Sequence, residues 1–345
     1  MKVGILTFHR AHNYGALLQC FALQQFLISM GHDVSVIDYR QSYIECKYKV
    51  KLKQILKGLL FPPKLKKYLS SKYKYASFFD NFKLTKKCDA IHIPSDFDAY
   101  IIGSDQLWSI DCTNGIDPVY TGNFRHKTGS RLIGFSISAN KASIQRFSDS
   151  MIRDIVSRFY RISFREKNVV SELSRRTGKV FSQTIDPTLL ANRSLWLPLI
   201  RNRLRKNKYI LLYEVRKPPN NECALLEKAN EFARKKNVDV VDLSRGNYTV
   251  SDFVTAFFYA ECVVTTSFHA SVFALIFQKP LCAFLLDDGN DERYRDLLEC
   301  VGADTFVYTL DENIVDYPVS DYSLIQYKLE QIRKKSTGYL EEALA

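Results

Sequence analysis

The segment from Cys262 to Phe284 constrains the fold more than any other part of the chain. Cys262 to Thr266 is short, apolar and β-branched, the composition of a strand covered on both faces. Ser267-Phe268-His269 follows, then Val272, Phe273, Ile276 and Phe277 at helical spacing, a Lys279-Pro280 stop, and a second apolar strand from Leu281. This order is one βαβ unit. Its first strand ends where the next helix begins, at the mouth of the sheet, where open α/β folds bind ligands and free backbone N–H groups favour an anion. His269 falls at that mouth. A histidine next to a strand end is more often a hydrogen-bonded structural residue than a catalyst, so the rest of the chain has to decide.

A chain of 345 residues is long enough for two α/β domains, and 46% apolar with 25% charged residues is ordinary globular composition. No apolar run reaches the length of a membrane span, and Met1 to Phe8 is too short for a secretory signal. The expected location is the cytoplasm, with the inner face of the membrane as a candidate docking place. The eight cysteines have no C-x-x-C pair and no ligand-like spacing, so they read as buried thiols with neither disulfides nor a metal site.

The net charge of +12 is unevenly placed. Between Lys47 and Lys87 stand thirteen lysines, no arginine and the single acid Asp80, an excess equal to that of the whole chain. Leu52, Ile55, Leu56, Leu59 and Leu60 share one helical face with Lys51, Lys53 and Lys57 off it, and aromatics interleave with lysines as far as Phe82. Such a segment suits an anionic membrane surface or a lipid-linked substrate. Nucleic acid ranks below these, because arginine is absent and no nucleic-acid-binding signature accompanies the patch. A solvated insertion packed on the body is the plain alternative.

In chain order, Lys2 to Phe8 is a strand, and Asn13 and Gly15 lie in the polar turn before an apolar helix that Gly31 closes. Asn13 and Gly15 are candidates for ligand contact at a helix start, with a simple N-cap as the alternative for Asn13. Val34 to Asp38 is the next strand. Phe97 to Ile102 is another, running into Gly103, Ser104, Asp105 and Gln106, a polar cluster on a glycine turn where Asp105 could equally cap the turn. Strands follow at Leu132–Ile137, at Arg161 to Glu166 with Arg165 near its end, and at Val180–Ile185 before Asp186-Pro187. Arg165 offers a planar fork for carboxylate or phosphate, or else a salt bridge to Glu166 or another acid.

A domain boundary is expected between Asn192 and Asn207. Beyond it come strands Tyr209–Tyr213 and Val238–Leu243, helices Glu222–Lys236 and Val250–Tyr259, the central unit, the acidic loop Asp287–Arg295, and an amphipathic helix Tyr322–Leu344. The expected organisation is an N-terminal α/β domain over 1–192 with the basic insertion 43–87, a C-terminal α/β domain over 208–320, and a terminal helix over 321–345. Two Rossmann-like parallel-sheet domains would face one another across a cleft.

Five stretches in order, Asn13-Tyr-Gly-Ala-Leu-Leu-Gln19, Tyr100-Ile-Ile-Gly-Ser-Asp-Gln-Leu-Trp108, Ser163-Phe-Arg-Glu-Lys167, Asp186-Pro-Thr-Leu-Leu190 and Ser267-Phe-His269, together resemble the polysaccharide pyruvyl transferase family. The resemblance implies a two-domain fold similar to glycosyltransferases of the B type. It also implies transfer of pyruvate from phosphoenolpyruvate to a sugar or lipid-linked oligosaccharide as a cyclic ketal, with no cofactor beyond the donor. The family's arginine and histidine implicated in donor binding or catalysis fall on Arg165 and His269. Where some members carry an arginine two residues before that histidine, this chain has Ser267, and Arg293 and Arg295 are nominated to hold the donor's charges instead. The chemistry needs cationic donors for phosphate and carboxylate, a proton donor for the enol carbon and a base for the hydroxyl. Asp105 is the second acid/base candidate. Two rivals stand beside this reading. One is a nucleotide-sugar glycosyltransferase of similar shape, with Asp287, Asp288, Asp291 and Glu292 serving ribose or a metal. The other is a non-catalytic protein working through the lysine segment.

Overall fold

The computed structural model describes residues 1–48, 74–218, 220–319 and 321–345. It divides into two units, Met1–Ala191 with Ile332–Ala345, and Asn192–Gln331. The first unit carries β1 (Lys2–Leu6), β2 (Asp33–Val36), β3 (Ala99–Ile102), β4 (Arg131–Ile137), β5 (Arg161–Phe164) and β6 (Ser182–Gln183). They pair in the order β2-β1-β3-β4-β5-β6, every pair parallel. The second unit carries β7 (Tyr209–Tyr213), β8 (Asp239–Asp242), β9 (Cys262–Thr265), β10 (Leu281–Phe284) and β11 (Val307–Tyr308). Their order is β11-β10-β9-β7-β8, again all parallel.

The parallel pairing follows from composition. Every residue of β3, β7, β9 and β10 is buried, as required when helices cover both faces of a sheet. Edge strands β2, β8, β6 and β11 are wetter, and the last two are only two residues long. The run expected over Val180–Ile185 pairs only as Ser182–Gln183, because β6 has a single neighbour and Val180 projects into solvent at 97% exposure while Phe181 turns into the core. β1 likewise ends at Leu6, two residues before the expected Phe8.

Each connecting helix closes with local chemistry. The helix Tyr14–Ser29 starts on Asn13, Val250–Tyr259 has a capping box made by Thr249 and Asp252, and Glu292–Val301 ends at Gly302 in the left-handed region. The stretch 192–208 packs with the second unit. Trp196 is fully buried with its ring edge-on to Phe273 at 4.9 Å, and Arg201 N–H donates to Thr255 Oγ1 at 2.8 Å. Phe253 and Phe257 complete this aromatic cluster; burying each such ring stabilises by roughly 2 kcal/mol.

The helix Tyr322–Leu344 begins in the second unit and ends in the first. Its start is held by Tyr322 OH donating to Lys279 O and Gln326 Nε2 donating to Leu275 O at 3.0 Å. Its end is held by Ser336 Oγ, which accepts from Ile185 N–H at 3.1 Å, and by Tyr339 OH, which donates to Gly134 O at 2.9 Å.

The cysteines depart from expectation. Cys20, Cys88, Cys262 and Cys282 are buried thiols, but Cys46, Cys223 and Cys300 are exposed, since they occupy a helix face, a helix start and a last helical turn that front solvent.

Candidate active site

In a parallel sheet all carboxyl ends reach one edge, and there the turns must satisfy their own backbone groups. In the first unit this edge gathers Asn13, Gly15, Gly103, Ser104, Asp105 and Arg165. Gly103 N–H donates to Leu6 O at 3.1 Å, continuing the ladder one residue past β3. The backbone then turns at φ +137°, with Phe135 O only 2.0 Å from where a Cβ would stand. Only glycine fits both the angle and the space. Replacing Gly103 by alanine is expected to destabilise the fold by on the order of 4 kcal/mol, strain and overlap combined, read as a fall in denaturation midpoint.

The turn delivers Ser104 into the interior. Its Oγ donates to Ser136 O at 2.9 Å and accepts from Arg165 Nη2, while its carbonyl accepts from Thr7 Oγ1 at 3.0 Å. Asp105 is half-buried. Its Oδ1 accepts from Gln106 N–H at 2.9 Å, and its carbonyl accepts from Ser138 N–H at 3.0 Å, pinning the turn to the end of β4.

Arg165, directly after β5, pairs with Asp186, Nη2 to Oδ2 2.6 Å, with side-chain exposures of 5% and 0%. Asp186 is itself oriented by Thr188, whose N–H and Oγ1 donate to Oδ1 at 3.0 and 2.6 Å. Glu166 turns away to accept from Ser138 Oγ at 2.5 Å, so the arginine's carboxylate partner is Asp186. Asn13 accepts from Ala16 N–H at 3.3 Å as the N-cap, and Gly15 is buried in the first turn behind it.

Beside these lies a charged cluster that strand-end reasoning had passed over. Asp38 accepts from His9 Nε2 at 2.9 Å, from Arg10 Nε and Nη2 at 2.9 and 2.8 Å, and from Arg40 Nε and Nη2 at 2.8 and 3.0 Å. Burial pushes the Asp38 carboxyl up, but the bonds from His9, Arg10 and Arg40 outweigh it and hold the group well below the usual carboxylate range. Burial lowers His9 against the pull of Asp38. The signal was present, since His9, Arg10, Asp38 and Arg40 all follow apolar strands closely.

In the second unit the turn after β9 is built by hydroxyls. Thr265 Oγ1 donates to Tyr213 O at 2.5 Å and accepts from Ser267 N–H at 3.0 Å. Ser267 Oγ then caps the helix Phe268–Ile276 by accepting from Ala270 N–H at 3.4 Å. His269 stands in the first turn of this helix, half-buried, its ring edge-on to Phe268 at 5.2 Å.

Arg293 and Arg295 lie in the first turn of Glu292–Val301, and Arg295 approaches Asp287 only to 3.9 Å. The cation tied to the end of β9 is Arg216, which the motif reading missed. Its Nη2 donates to Thr266 O at 3.2 Å, to Asp291 Oδ1 at 2.6 Å and to Tyr294 OH at 3.3 Å, and its Nη1 to Asp288. Asp291 also accepts from Leu286 and Asp287 N–H at 2.7 Å each. Asp291 is therefore committed to shaping the loop.

The candidates thus divide between the units, with Arg165, Ser104 and Asp105 brought together in one and Ser267 and His269 in the other. Among the described residues no group of His, Cys, Asp and Glu could hold a metal ion, and no helix is long and apolar enough to cross a membrane. Lys51, Lys53 and Lys57 lie outside the described residues. Of the interleaved aromatics, Tyr75, Phe78 and Phe82 are buried, and Phe78 meets Phe21 at 5.5 Å. That end of the insertion packs on the body.

The family model for polysaccharide pyruvyl transferase matches residues 13–288. No functionally curated protein sequence matches the chain. Among solved structures, the chain is similar to a UDP-GlcNAc 2-epimerase from Neisseria meningitidis bound to UDP-GlcNAc, with 12% identity, 99% of this chain and 94% of that one covered, and a TM-score of 0.47. It is also similar to a UDP-GlcNAc 2-epimerase from Methanocaldococcus jannaschii, with 11% identity, 96% and 92% covered, and a TM-score of 0.46.

Proposed function

Because this chain belongs to the polysaccharide pyruvyl transferase family, a transferase family whose model spans residues 13–288, we propose that it moves pyruvate from phosphoenolpyruvate to a sugar of a cell-surface polysaccharide or its lipid-linked precursor. The product is a cyclic ketal. The enol carbon takes a proton, which makes the adjoining carbon electrophilic, and a sugar hydroxyl adds there. Phosphate departs with its bonding pair, and a second hydroxyl closes the ring. The two hydroxyl protons end on the new methyl group and on phosphate, so the reaction balances with no cofactor beyond the donor, in the cytoplasm where that donor is made.

His269 is assigned the proton transfers. The observation that carries this is its position: a half-buried imidazole in the first turn of a helix that leaves the carboxyl edge of a parallel sheet. Arg165, with the Ser104 hydroxyl it already contacts, is assigned to the donor's acidic groups. Asp105, half-buried on the same turn, is assigned to orienting a hydroxyl. Asn13 and Gly15 offer the start of the Tyr14–Ser29 helix to an anion, and Ser267, Arg293 and Arg295 are assigned to substrate binding at the strand ends of the second unit.

The test is phosphate release from phosphoenolpyruvate with a panel of free, lipid-linked and nucleotide-linked sugars, and product mass measured alongside. Acceptor-dependent phosphate with the mass of an added pyruvate ketal is the expected result. No release, together with thermal protection by nucleotides and none by phosphoenolpyruvate, would overturn the reading in favour of nucleotide-sugar transfer.

A further inference from the structure

Glu214 follows β7 directly and is only 7% exposed. Both its carboxylate oxygens are shielded, and neither accepts a hydrogen bond from the described residues. Its backbone N–H donates to Ser244 Oγ at 2.7 Å, which fixes the residue against the end of β8. A buried carboxylate without a donor destabilises a fold, and native proteins keep few of them. The charges of Lys217 and Arg245 favour it, but neither side chain donates it a hydrogen bond. A role toward a ligand that brings its own donors accounts for it.

Its place in the fold says which ligand. Tyr213 is in register with Thr265, so Glu214 stands beside Thr266. Thr266 Oγ1 donates to Arg216 O at 2.7 Å and Arg216 Nη2 donates to Thr266 O at 3.2 Å, lacing the two strand ends together. Ser267 and His269 come next on that second strand's turn. Glu214 is therefore one strand over from the histidine assigned to proton transfer.

We propose that Glu214 is the acceptor-binding residue, its two carboxylate oxygens receiving hydrogen bonds from the two sugar hydroxyls that become the ketal oxygens. The inference rests on the pyruvyl-transfer reading. A carboxylate is the side chain that accepts two O–H donors side by side, and ketal formation is the reaction that requires two hydroxyls of one sugar held together. The same chemistry would take the ribose diol of a nucleotide, and the test separates the two.

A functional carboxylate of this kind costs stability. Burial, then the charge of Asp242, push the Glu214 carboxyl above its ordinary value, against Lys217 and Arg245, whose side chains are 43% and 50% exposed. A raised folded-state value means that stability is fully present below the unfolded value and is lost as pH rises through the folded one. Glu214→Gln removes that loss. Its melting temperature should equal or exceed the parent's at pH 8, with the difference closing toward pH 4.

The experiment compares parent and Glu214→Gln in two assays. In phosphate release, the variant's acceptor KM should rise about ten- to a hundredfold, while the KM for phosphoenolpyruvate stays within about twofold. In saturation-transfer NMR with methyl β-galactoside, methyl β-glucoside, methyl α-mannoside and their monodeoxy analogues, the parent should bind a glycoside through two neighbouring hydroxyls and the variant should lose it. Glycoside binding lost in the variant, in a parent that never turns over phosphoenolpyruvate, would sustain the diol site and defeat the pyruvyl reading alone. Unchanged acceptor KM and glycoside binding would defeat the diol site and leave pyruvyl transfer standing. A parent that binds none of the glycosides, uridine binding lost in place of glycoside binding, or a large fall in the variant's melting temperature would each overturn it.

Discussion

Replacing His269 by alanine is expected to lower turnover by about 10²- to 10⁴-fold, the usual contribution of a positioned acid/base group. The fold should lose no more than about 1 kcal/mol. The imidazole is half-buried and meets Phe268 at its ring edge, while the turn it occupies is built by other groups. Thr265 Oγ1 and Ser267 Oγ satisfy the strand end and the helix start, and the Phe268–Ile276 helix is anchored by the buried Val272, Phe273 and Ile276. Phosphate release and melting temperature, measured on one preparation, separate the possibilities. Lost turnover at an unchanged melting temperature places the histidine in the chemistry. A fall of many degrees with turnover restored at low temperature would make it a packing residue.

The larger effect on stability is expected at Arg165. Arg165→Ala removes one partner of an ion pair with exposures of 5% and 0%. That takes away the guanidinium that stands 2.6 Å from a fully buried carboxylate, a loss of about 3–5 kcal/mol. Lost activity in this variant would therefore say nothing about the donor. The informative variant is Arg165→Met combined with Asp186→Asn. It removes both charges together and keeps the oxygen that accepts from Thr188 N–H and Oγ1. Replacing both members of a buried pair is often close to neutral for stability. The double variant should recover most of the denaturation midpoint while its KM for phosphoenolpyruvate stays raised about ten- to a hundredfold, the cost of one or two charge-assisted hydrogen bonds. Recovery of that KM along with the fold would show that Arg165 only holds β5, β3 and Asp186 together.

The two side chains differ in what surrounds them, and that difference explains how much of the site was legible. The apolar runs of β3, β7, β9 and β10, each bounded by a polar turn, could only be strands covered on both faces, so the parallel architecture and its carboxyl edges followed from composition. Family motifs then marked Arg165 and His269 at two of those edges. They could not show that Asp186 holds Arg165, because the partners lie 21 positions apart and meet only through the β5–β6 pairing. Arg216 and Glu214 escaped for the same reason. Each follows an apolar strand, as Arg165 does, but what sets them apart is the set of contacts that surrounds them.

What the sequence by itself determined was the alternation of strand and helix, the parallel class, the family, and which turns face the mouth of each sheet. These depend on local periodicity and on short-range turn chemistry, both of which are written in consecutive residues. Only the tertiary structure decided that Gly103 turns against Phe135 O, that Asp38 gathers His9, Arg10 and Arg40, that the final helix ends on the first unit, and that Glu214 is buried without a donor. Burial and pairing of a charged group depend on residues distant in sequence, and the free energy of a buried charge is set by those neighbours.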